Sequence, residues 1–176
     1  ALMGLNYLNK IDKAEEQLKE ISEISSEAIN EVRNISSNLR PYQLDRIGLT
    51  KAIESIINQL KEAYLIKFDL IKIDDIDNVF DENSEIHFYR IIQETFNNIV
   101  KHSESTSVKV EIIKTENQIE ISIEDNGKGF DMEKVLHQEK ERGLGISDII
   151  ERTNILKGKY SVNSVIGSGT KFQFII

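Results

Sequence analysis

Three short segments in the second half of the chain carry side chains suited to chemistry. The first, residues 94–102, places the carboxylate of Glu94 and the carboxamide of Asn98 four positions apart, on one face of a helix. Mg²⁺ prefers such oxygen ligands and often takes only one or two from protein. Glu94 could also hold a metal-bound water or polarise an attacking nucleophile. Taken alone, these residues are more often the solvated face of an amphipathic helix.

The second segment, residues 125–130, joins the end of a predicted strand to a glycine turn. Gly127 and Gly129 allow the backbone to approach a ligand closely. A buried carboxylate at Asp125 can accept a hydrogen bond from an exocyclic amino group, which would select adenine over guanine. The alternative is an ordinary Asp-Asn-Gly hairpin turn.

The third segment is a pair of glycines, Gly143 and Gly145, directly before a predicted helix. Because the N-terminus of a helix binds anions, the pair suits a phosphate, although a hinge is the competing explanation. The loop 167–170 is either a second backbone contact to phosphate or a simple hairpin loop. Lys101 and His102 could reach phosphate oxygens, although a histidine at a helix C-terminus is more often a dipole-compatible cap. In this order and spacing, the segments indicate an ATP site.

Composition excludes several other classes of protein. The chain has 176 residues, a net charge of −8 and no cysteine. Nucleic-acid binding would need a basic surface, and disulfide scaffolds or thiolate metal sites need cysteine. No apolar run approaches the roughly 20 residues of a membrane span, and the start lacks the features of a signal peptide. We therefore expect a soluble, cytoplasmic chain without nucleic-acid or membrane contact, made of one compact domain plus an appendage.

The appendage, residues 1–47, is predicted to be helical up to about Leu39, and Pro41 ends the helix. Its apolar positions recur every three or four residues, with one polar interruption, which is the pattern of a heptad seam. The seam consists of Ile11, Ala14, Leu18, Ile21, Ser25, Ala28, Val32, Ile35 and Leu39. Such a seam favours a helical hairpin that pairs with a second copy in a four-helix bundle. A lone amphipathic arm on its own domain is the alternative.

The remainder, residues 48–176, is predicted to be an α+β domain: a two-layer sandwich with a mixed, largely antiparallel sheet covered by helices on one face. Residues 42–47 are a connector, and in the first strand Ile66, Phe68 and Leu70 share a face. Residues 131–142 are a polar flap. Predicted helices are 49–63, 83–102 and 144–156, and predicted strands are 66–73, 107–114, 118–124, 159–165 and 171–176.

The segments 94–102, 125–130, 143–146 and 167–170 resemble the four nucleotide-binding motifs of the sensor histidine kinase ATP-binding domain. That domain belongs to the ATPase superfamily shared with DNA gyrase, a heat-shock chaperone and mismatch-repair proteins. The resemblance covers about residues 49–176. The stretch Glu31 to Leu49, together with Glu151 and Arg152, is similar to kinases that signal to response regulators with helix-turn-helix output domains.

The resemblance implies a role for each matching residue. Asn98 would coordinate Mg²⁺, Glu94 would order water or assist the nucleophile, and Asp125 would read the adenine amino group. The remaining residues would shape the pocket or approach the phosphates of ATP: Lys101, His102, Gly127, Gly129, Gly143, Leu144, Gly145, Gly169 and Thr170. The implied protein is a homodimer that phosphorylates a histidine and passes the phosphoryl group to a response-regulator aspartate.

One departure concerns the phosphoacceptor. The family carries its acceptor histidine on the first dimerisation helix, whereas the histidines here are His87, His102 and His137. We expect His87 to be structural and His137 to be solvated, with the acceptor located upstream of Ala1. Two other readings stay open: a protein-serine kinase of the anti-sigma type, and a non-catalytic module that responds to nucleotide by dimerisation.

Overall fold

The computed structural model describes residues 17–18, 41–132 and 145–176. Contacts divide the chain into two compact units, residues 1–40 and 41–176. Of the first unit only Gln17 and Leu18 are described, both helical. The rest of the heptad seam, most of the flap and His137 lie outside the described residues, so the hairpin and the boundary at 47/48 stay predictions.

The second unit begins with helix α1, Tyr42–Ala63, which is broken by non-helical backbone at Gly48 (φ 79°, ψ 170°). The prediction that residues 42–47 are a connector between helices is therefore wrong, since these residues are themselves helical. Leu44 is buried, and its packing stabilises helical structure in a segment whose apolar residues show little helical periodicity. The helix restarts after Gly48, where the Thr50 N–H donates to Asp77 Oδ1 at 2.8 Å. A carboxylate distant in sequence thus caps the second part of α1.

Five strands form one mixed sheet in the order β1-β2-β3-β5-β4. The strands are β1 (Lys67–Ile73), β2 (Ser107–Lys114), β3 (Ile119–Asp125), β4 (Lys159–Val165) and β5 (Gly169–Ile175). The β1–β2 pair is parallel and the other pairs are antiparallel. Residues on β2 and β3 alternate between buried and more exposed positions, so one face of the sheet carries the core.

A bulge in β1 corrects one face assignment. Phe68 pairs with Val108 and Leu70 pairs with Lys109, so Asp69 is the extra residue on β1. Each inserted residue reverses the alternation of side chains along a strand. Leu70 therefore lies on the exposed face with Lys109, and the prediction that it shares a face with Phe68 is wrong.

Two further helices complete the layer: α2, Glu82–Asn98, and α3, Ile146–Ile155. The Asp81 carboxylate begins α2 by accepting from the N–H groups of Asn83 and Ser84. The last predicted turn of this helix is a π-helical turn, Ile99–Ser103. In the core, side chains of the helices pack against the covered face of the sheet. The largest fully buried side chains include Leu49, Ile53, Phe88, Phe96, Ile112, Ile123, Phe172 and Phe174.

Candidate functional site

The C-terminal half of α2 presents Glu94, Asn97 and Asn98 as partly buried side chains. Asn97 Nδ2 donates to Glu94 Oε2 at 3.3 Å. Asn98 differs, because its buried Nδ2 has no hydrogen-bond partner within the part of the chain that the structure describes. An unsatisfied buried polar atom costs about 1–3 kcal/mol, so such a group marks a candidate contact for a ligand or water.

Asp125 is a buried carboxyl group at the end of β3, with only 4% of the residue exposed. Its Oδ1 accepts from the Gly127 N–H at 2.7 Å, and the Thr170 N–H donates to the same carboxyl group. Burial raises the pKa of Asp125, and the two backbone donors offset part of that rise. The carboxylate is therefore held in a fixed orientation by backbone on either side.

The residues after Asp125 do not form the tight hairpin that was the alternative reading. β3 pairs with β2 and β5, and the next described strand along the chain begins only at Lys159. The turn is instead tied to the N-terminus of β2, since Asn126 Oδ1 accepts from the Thr106 N–H at 3.0 Å and the Ser107 N–H at 2.9 Å. This anchoring makes the turn a fixed part of the site.

The same turn also contacts the π-helical turn that follows α2. The Lys128 N–H donates to the Ser103 carbonyl oxygen at 2.7 Å. A β-carbon at Gly127 would collide with that carbonyl and lie 2.7 Å from Asp125 Oδ1, so only glycine fits this approach. The structure therefore brings together two predicted segments, the one that contains Asn98 and the one that contains Asp125.

The loop between β4 and β5 closes the other side of Asp125. Gly169 has φ +91°, and a β-carbon there would collide with the Asp125 carbonyl oxygen. Thr170 is the direct strand partner of Asp125 and is 4% exposed. The Gly167 N–H donates to the Lys128 carbonyl oxygen at 2.6 Å. Gly169 therefore lies against the backbone of Asp125, and Thr170 lies beside Asp125 on the neighbouring strand.

Sequence reasoning missed Ser164, which lies in this arrangement. Its Oγ accepts from the Phe130 N–H at 2.8 Å and lies 2.9 Å from Thr170 Oγ1. Ser164 pairs with Thr170 across the β4–β5 hairpin. The register that the short 166–168 turn imposes was the signal in the sequence that could have identified it.

The predicted phosphate-contacting residues are less enclosed. Lys101 and His102 are exposed on the π-helical turn. Gly145, with φ 123°, is the N-cap of α3, and its carbonyl accepts from the Ile149 N–H at 3.2 Å. Gly143 and Leu144 lie outside the described residues. Gly129 has φ +61° and approaches the Val165 carbonyl oxygen.

The described residues contain no group of three or more histidine, aspartate or glutamate side chains arranged to hold a metal ion. Mg²⁺ bound to a nucleotide needs only one or two protein oxygens, because phosphates and waters complete its octahedron. The carboxamide oxygen of Asn98 and the carboxylate of Glu94, one turn earlier on α2, are ligands of that type.

Two other features lie apart from these residues. An open cavity of about 380 Å³ is lined by residues of β2–β5, among them Glu111, Ser122 and Gln173, on the exposed face of the sheet. His87 on α2 lies 3.4 Å from the Arg152 guanidinium of α3 through its Nδ1. Burial first, and Arg152 second, lower the pKa of His87. Among the described helices, none is both long enough and apolar enough to cross a membrane.

The family comparison is consistent with this geometry. A family model described as "Histidine kinase-, DNA gyrase B-, and HSP90-like ATPase" matches residues 83–176. The chain is 33% identical to sensor histidine kinase ComP of Bacillus subtilis (strain 168) over 161 residues, 91% of this chain and 20% of ComP. It is 30% identical to sensor histidine kinase LiaS of the same organism over 162 residues, 92% of this chain and 43% of LiaS. The chain thus spans less than half the length of these curated relatives.

A solved structure shares the fold. The ATP binding domain of PrrB from Mycobacterium tuberculosis matches with a TM-score of 0.54 and 19% identity, over 71% of this chain and 90% of that one.

The mixed five-stranded sheet with helices on one face is the α+β fold of histidine kinase ATP-binding domains. The chain belongs to the family of histidine kinase-, DNA gyrase B- and HSP90-like ATPases. Its curated relatives are sensor histidine kinases, so the predicted resemblance to the ATP-binding domain of that group is confirmed, and so is the predicted fold class.

Proposed function

We propose that residues 48–176 bind Mg-ATP in the pocket bounded by the end of α2, the turn after β3 and the β4–β5 loop. The observation that carries the proposal is the buried Asp125, held by the N–H groups of Gly127 and Thr170 on a turn that rests on Ser103. A buried, oriented acceptor suits an exocyclic amino group of a base, and its cost in desolvation is hard to explain by stability alone.

Each remaining residue has a defined task in this proposal. Asn98 directs a carboxamide, without added negative charge, at the metal that accompanies the triphosphate. Glu94, one turn earlier and oriented by Asn97, accepts a proton from the attacking group or orders a water. Lys101 and His102 lie exposed on the π-helical turn that follows α2, where their side-chain N–H groups can donate to phosphate oxygens. When bound, Mg²⁺ neutralises phosphate charge; phosphoryl transfer otherwise asks the protein mainly for positioning.

The wider function is also a proposal. The chain would be the catalytic core fragment of a cytoplasmic two-component kinase, transferring the γ-phosphoryl group to a histidine upstream of this fragment. From there the group would pass to an aspartate of a response regulator with a helix-turn-helix output domain. Residues 1–47 would supply the homodimer contact through their heptad seam. The similarity to the sensor histidine kinases ComP and LiaS over nine-tenths of this chain supports the assignment over a serine kinase.

The direct test is calorimetric titration with a non-hydrolysable ATP analogue, with and without Mg²⁺. We expect saturable binding that Mg²⁺ strengthens and that Asp125→Asn abolishes. Glu116→Gln, an equivalent change of carboxylate to amide on the exposed turn between β2 and β3, is the matched control and should bind like the wild type. Absence of binding to the wild-type chain, or unchanged affinity in Asp125→Asn, would refute the proposed site.

Phosphoryl transfer needs a separate assay. The chain with labelled ATP should show no autophosphorylation by itself, yet it should label a second polypeptide that carries the acceptor histidine of a related kinase. Acid lability of the label would identify transfer to histidine. Loss of the label in Asn98→Asp would show that the transfer depends on the proposed site. Labelling of a serine-bearing acceptor instead would establish the anti-sigma type of activity, and tight nucleotide binding without transfer would establish a non-catalytic module.

A further inference from the structure

Ser164 lies at a junction of hydrogen bonds next to the proposed base pocket. Its Oγ accepts from the Phe130 N–H at 2.8 Å, lies 2.9 Å from Thr170 Oγ1, and lies 3.5 Å from the Gly169 carbonyl oxygen. These contacts join β4, β5 and the turn after β3. None of the four sequence segments includes Ser164, so its place needs an explanation of its own.

The contact between Ser164 and Thr170 can run in either direction, because either hydroxyl can be the donor. A serine hydroxyl has one proton and two lone pairs, and the Phe130 N–H occupies one lone pair. The proton can be donated to Thr170 Oγ1 or to the Gly169 carbonyl oxygen. Hydroxyl hydrogen bonds to oxygen fall at roughly 2.5–3.0 Å, so Thr170 Oγ1 is the better acceptor for this proton and the Gly169 carbonyl oxygen, at 3.5 Å, is the weaker one.

When Ser164 donates to Thr170, the Thr170 hydroxyl keeps its own proton for another acceptor. Thr170 is buried and is the strand partner of Asp125, so the two side chains lie next to each other on one face of the sheet. The pocket then offers an acceptor, the Asp125 carboxylate, beside a donor, the Thr170 hydroxyl.

We propose that Ser164 is a positioning residue that fixes the Thr170 hydroxyl as a hydrogen-bond donor toward the purine ring nitrogen adjacent to the amino group. Adenine presents an amino donor beside an unprotonated ring nitrogen, which matches the order of acceptor and donor. Guanine presents a carbonyl beside a protonated ring nitrogen, so donor would face donor and acceptor would face acceptor. Because buried polar groups would be left unpaired, the site would discriminate strongly against guanine.

This inference rests on the proposed function and is tested with a base analogue. In 1-deaza-ADP a C–H group replaces the ring nitrogen that the Thr170 hydroxyl would contact, while the amino group that Asp125 would read is kept. Calorimetry of the whole chain should show ADP binding about tenfold more tightly than 1-deaza-ADP, the worth of one good hydrogen bond. The ratio of the two affinities is the readout, because a general loss of structure would lower both.

In Ser164→Ala the ratio should fall to within about twofold, because ADP loses the oriented donor whereas 1-deaza-ADP never used it. Ser164→Cys, which keeps the side-chain shape but has a weak donor, should behave the same way and covers the case in which the alanine variant does not fold. Ser164→Thr keeps the hydroxyl and should restore the ratio. Ser161→Ala, the same change at an exposed position of β4, is the control.

A tenfold ratio that persists in both Ser164→Ala and Ser164→Cys would overturn the inference, and so would an equal loss of affinity for both nucleotides. A wild-type ratio near one would overturn it as well. None of these outcomes contradicts the proposed function, provided that the wild-type chain binds ADP and Asp125→Asn does not. Failure of the wild-type chain to bind either nucleotide would refute the proposed function and the inference together.

Discussion

The two ends of the candidate site differ in how far their polar groups are buried and hydrogen-bonded within the protein. At the base end, Asp125 is buried and held by two backbone donors, with glycines packed against it on both sides. At the phosphate end, Asn98 has a buried amide nitrogen without a partner among the described residues, and Lys101 and His102 are exposed. If the site binds Mg-ATP as proposed, the base pocket would be organised before binding, whereas the metal and phosphates would complete the other end.

Asp125→Asn should show the largest effect on binding, with affinity for ADP reduced at least about 100-fold, because an amide donor would face the amino group of the base. Stability should respond in the opposite direction. Burial raises the pKa of Asp125, so above its folded-state pKa the ionised carboxylate makes folding less favourable, and that penalty disappears as the pH falls. Thermal unfolding at neutral pH should therefore show a variant at least as stable as the wild type, with any advantage shrinking in acid. A variant that binds ADP normally would contradict the account of the base end.

Gly169→Ala should produce the next largest effect, this time on folding. The left-handed backbone conformation alone costs a non-glycine residue about 1–3 kcal/mol, and the added methyl group would also collide with the Asp125 carbonyl oxygen. Gly167→Ala is the matched control, because Gly167 also has positive φ (+82°) but has nothing within 4 Å of an added β-carbon. Chemical denaturation should show a distinctly greater loss for Gly169→Ala. Equal losses would mean that the close approach to Asp125 does not matter.

Asn98→Ala should separate the phosphate end from the base end. The variant should bind ADP without Mg²⁺ about as well as the wild type but should lose the increase in affinity that Mg²⁺ gives the wild-type chain. Its stability should change little, since the structure shows no hydrogen bond to Asn98 Nδ2 that the change would break among the described residues. Asn117→Ala on the β2–β3 turn is the control. Mg²⁺ enhancement that survives in Asn98→Ala would remove this residue from the metal site.

The smallest effect is expected at the ion pair between Lys128 and Glu104, whose Nζ and Oε1 atoms lie 2.6 Å apart. The pair sits beside the turn after β3, but both side chains are largely exposed, and exposed ion pairs contribute little. Glu104→Gln should leave the unfolding temperature and the ADP affinity unchanged within error. A clear loss of ADP affinity would show that the turn depends on this charge rather than on its backbone contacts.

Much of the fold was predictable because its signals are local. Alternation predicted the first three strands, and the helix predicted over 83–102 corresponds to α2 and the π-helical turn that follows it. The errors came from non-local causes. Helical structure over 42–47 depends on tertiary burial of Leu44, and the face of Leu70 depends on a bulge at Asp69 that pairing with β2 reveals.

The site divides in the same way. Asp125, Gly127, Gly169 and Thr170 could be selected from their motifs, and the structure places them in contact, while their functional roles stay predictions. Ser164 could not be selected from residue type alone, because a serine in a strand carries no signal until the β4–β5 register sets it opposite Thr170. The π-helical turn at Ile99–Ser103 could not be predicted either, because no pattern in the sequence distinguishes it from a continuing α-helix.

Amide chemical-shift mapping of the isotopically labelled chain, titrated first with ADP alone and then with Mg²⁺, tests the central contrast most directly. The account predicts that ADP alone shifts the amides of Asp125, Gly127 and Thr170, and that Mg²⁺ then adds shifts around Asn98 at the end of α2. Shifts confined to the cavity on the exposed face of the sheet, or Mg²⁺-dependent shifts that bypass α2, would contradict it.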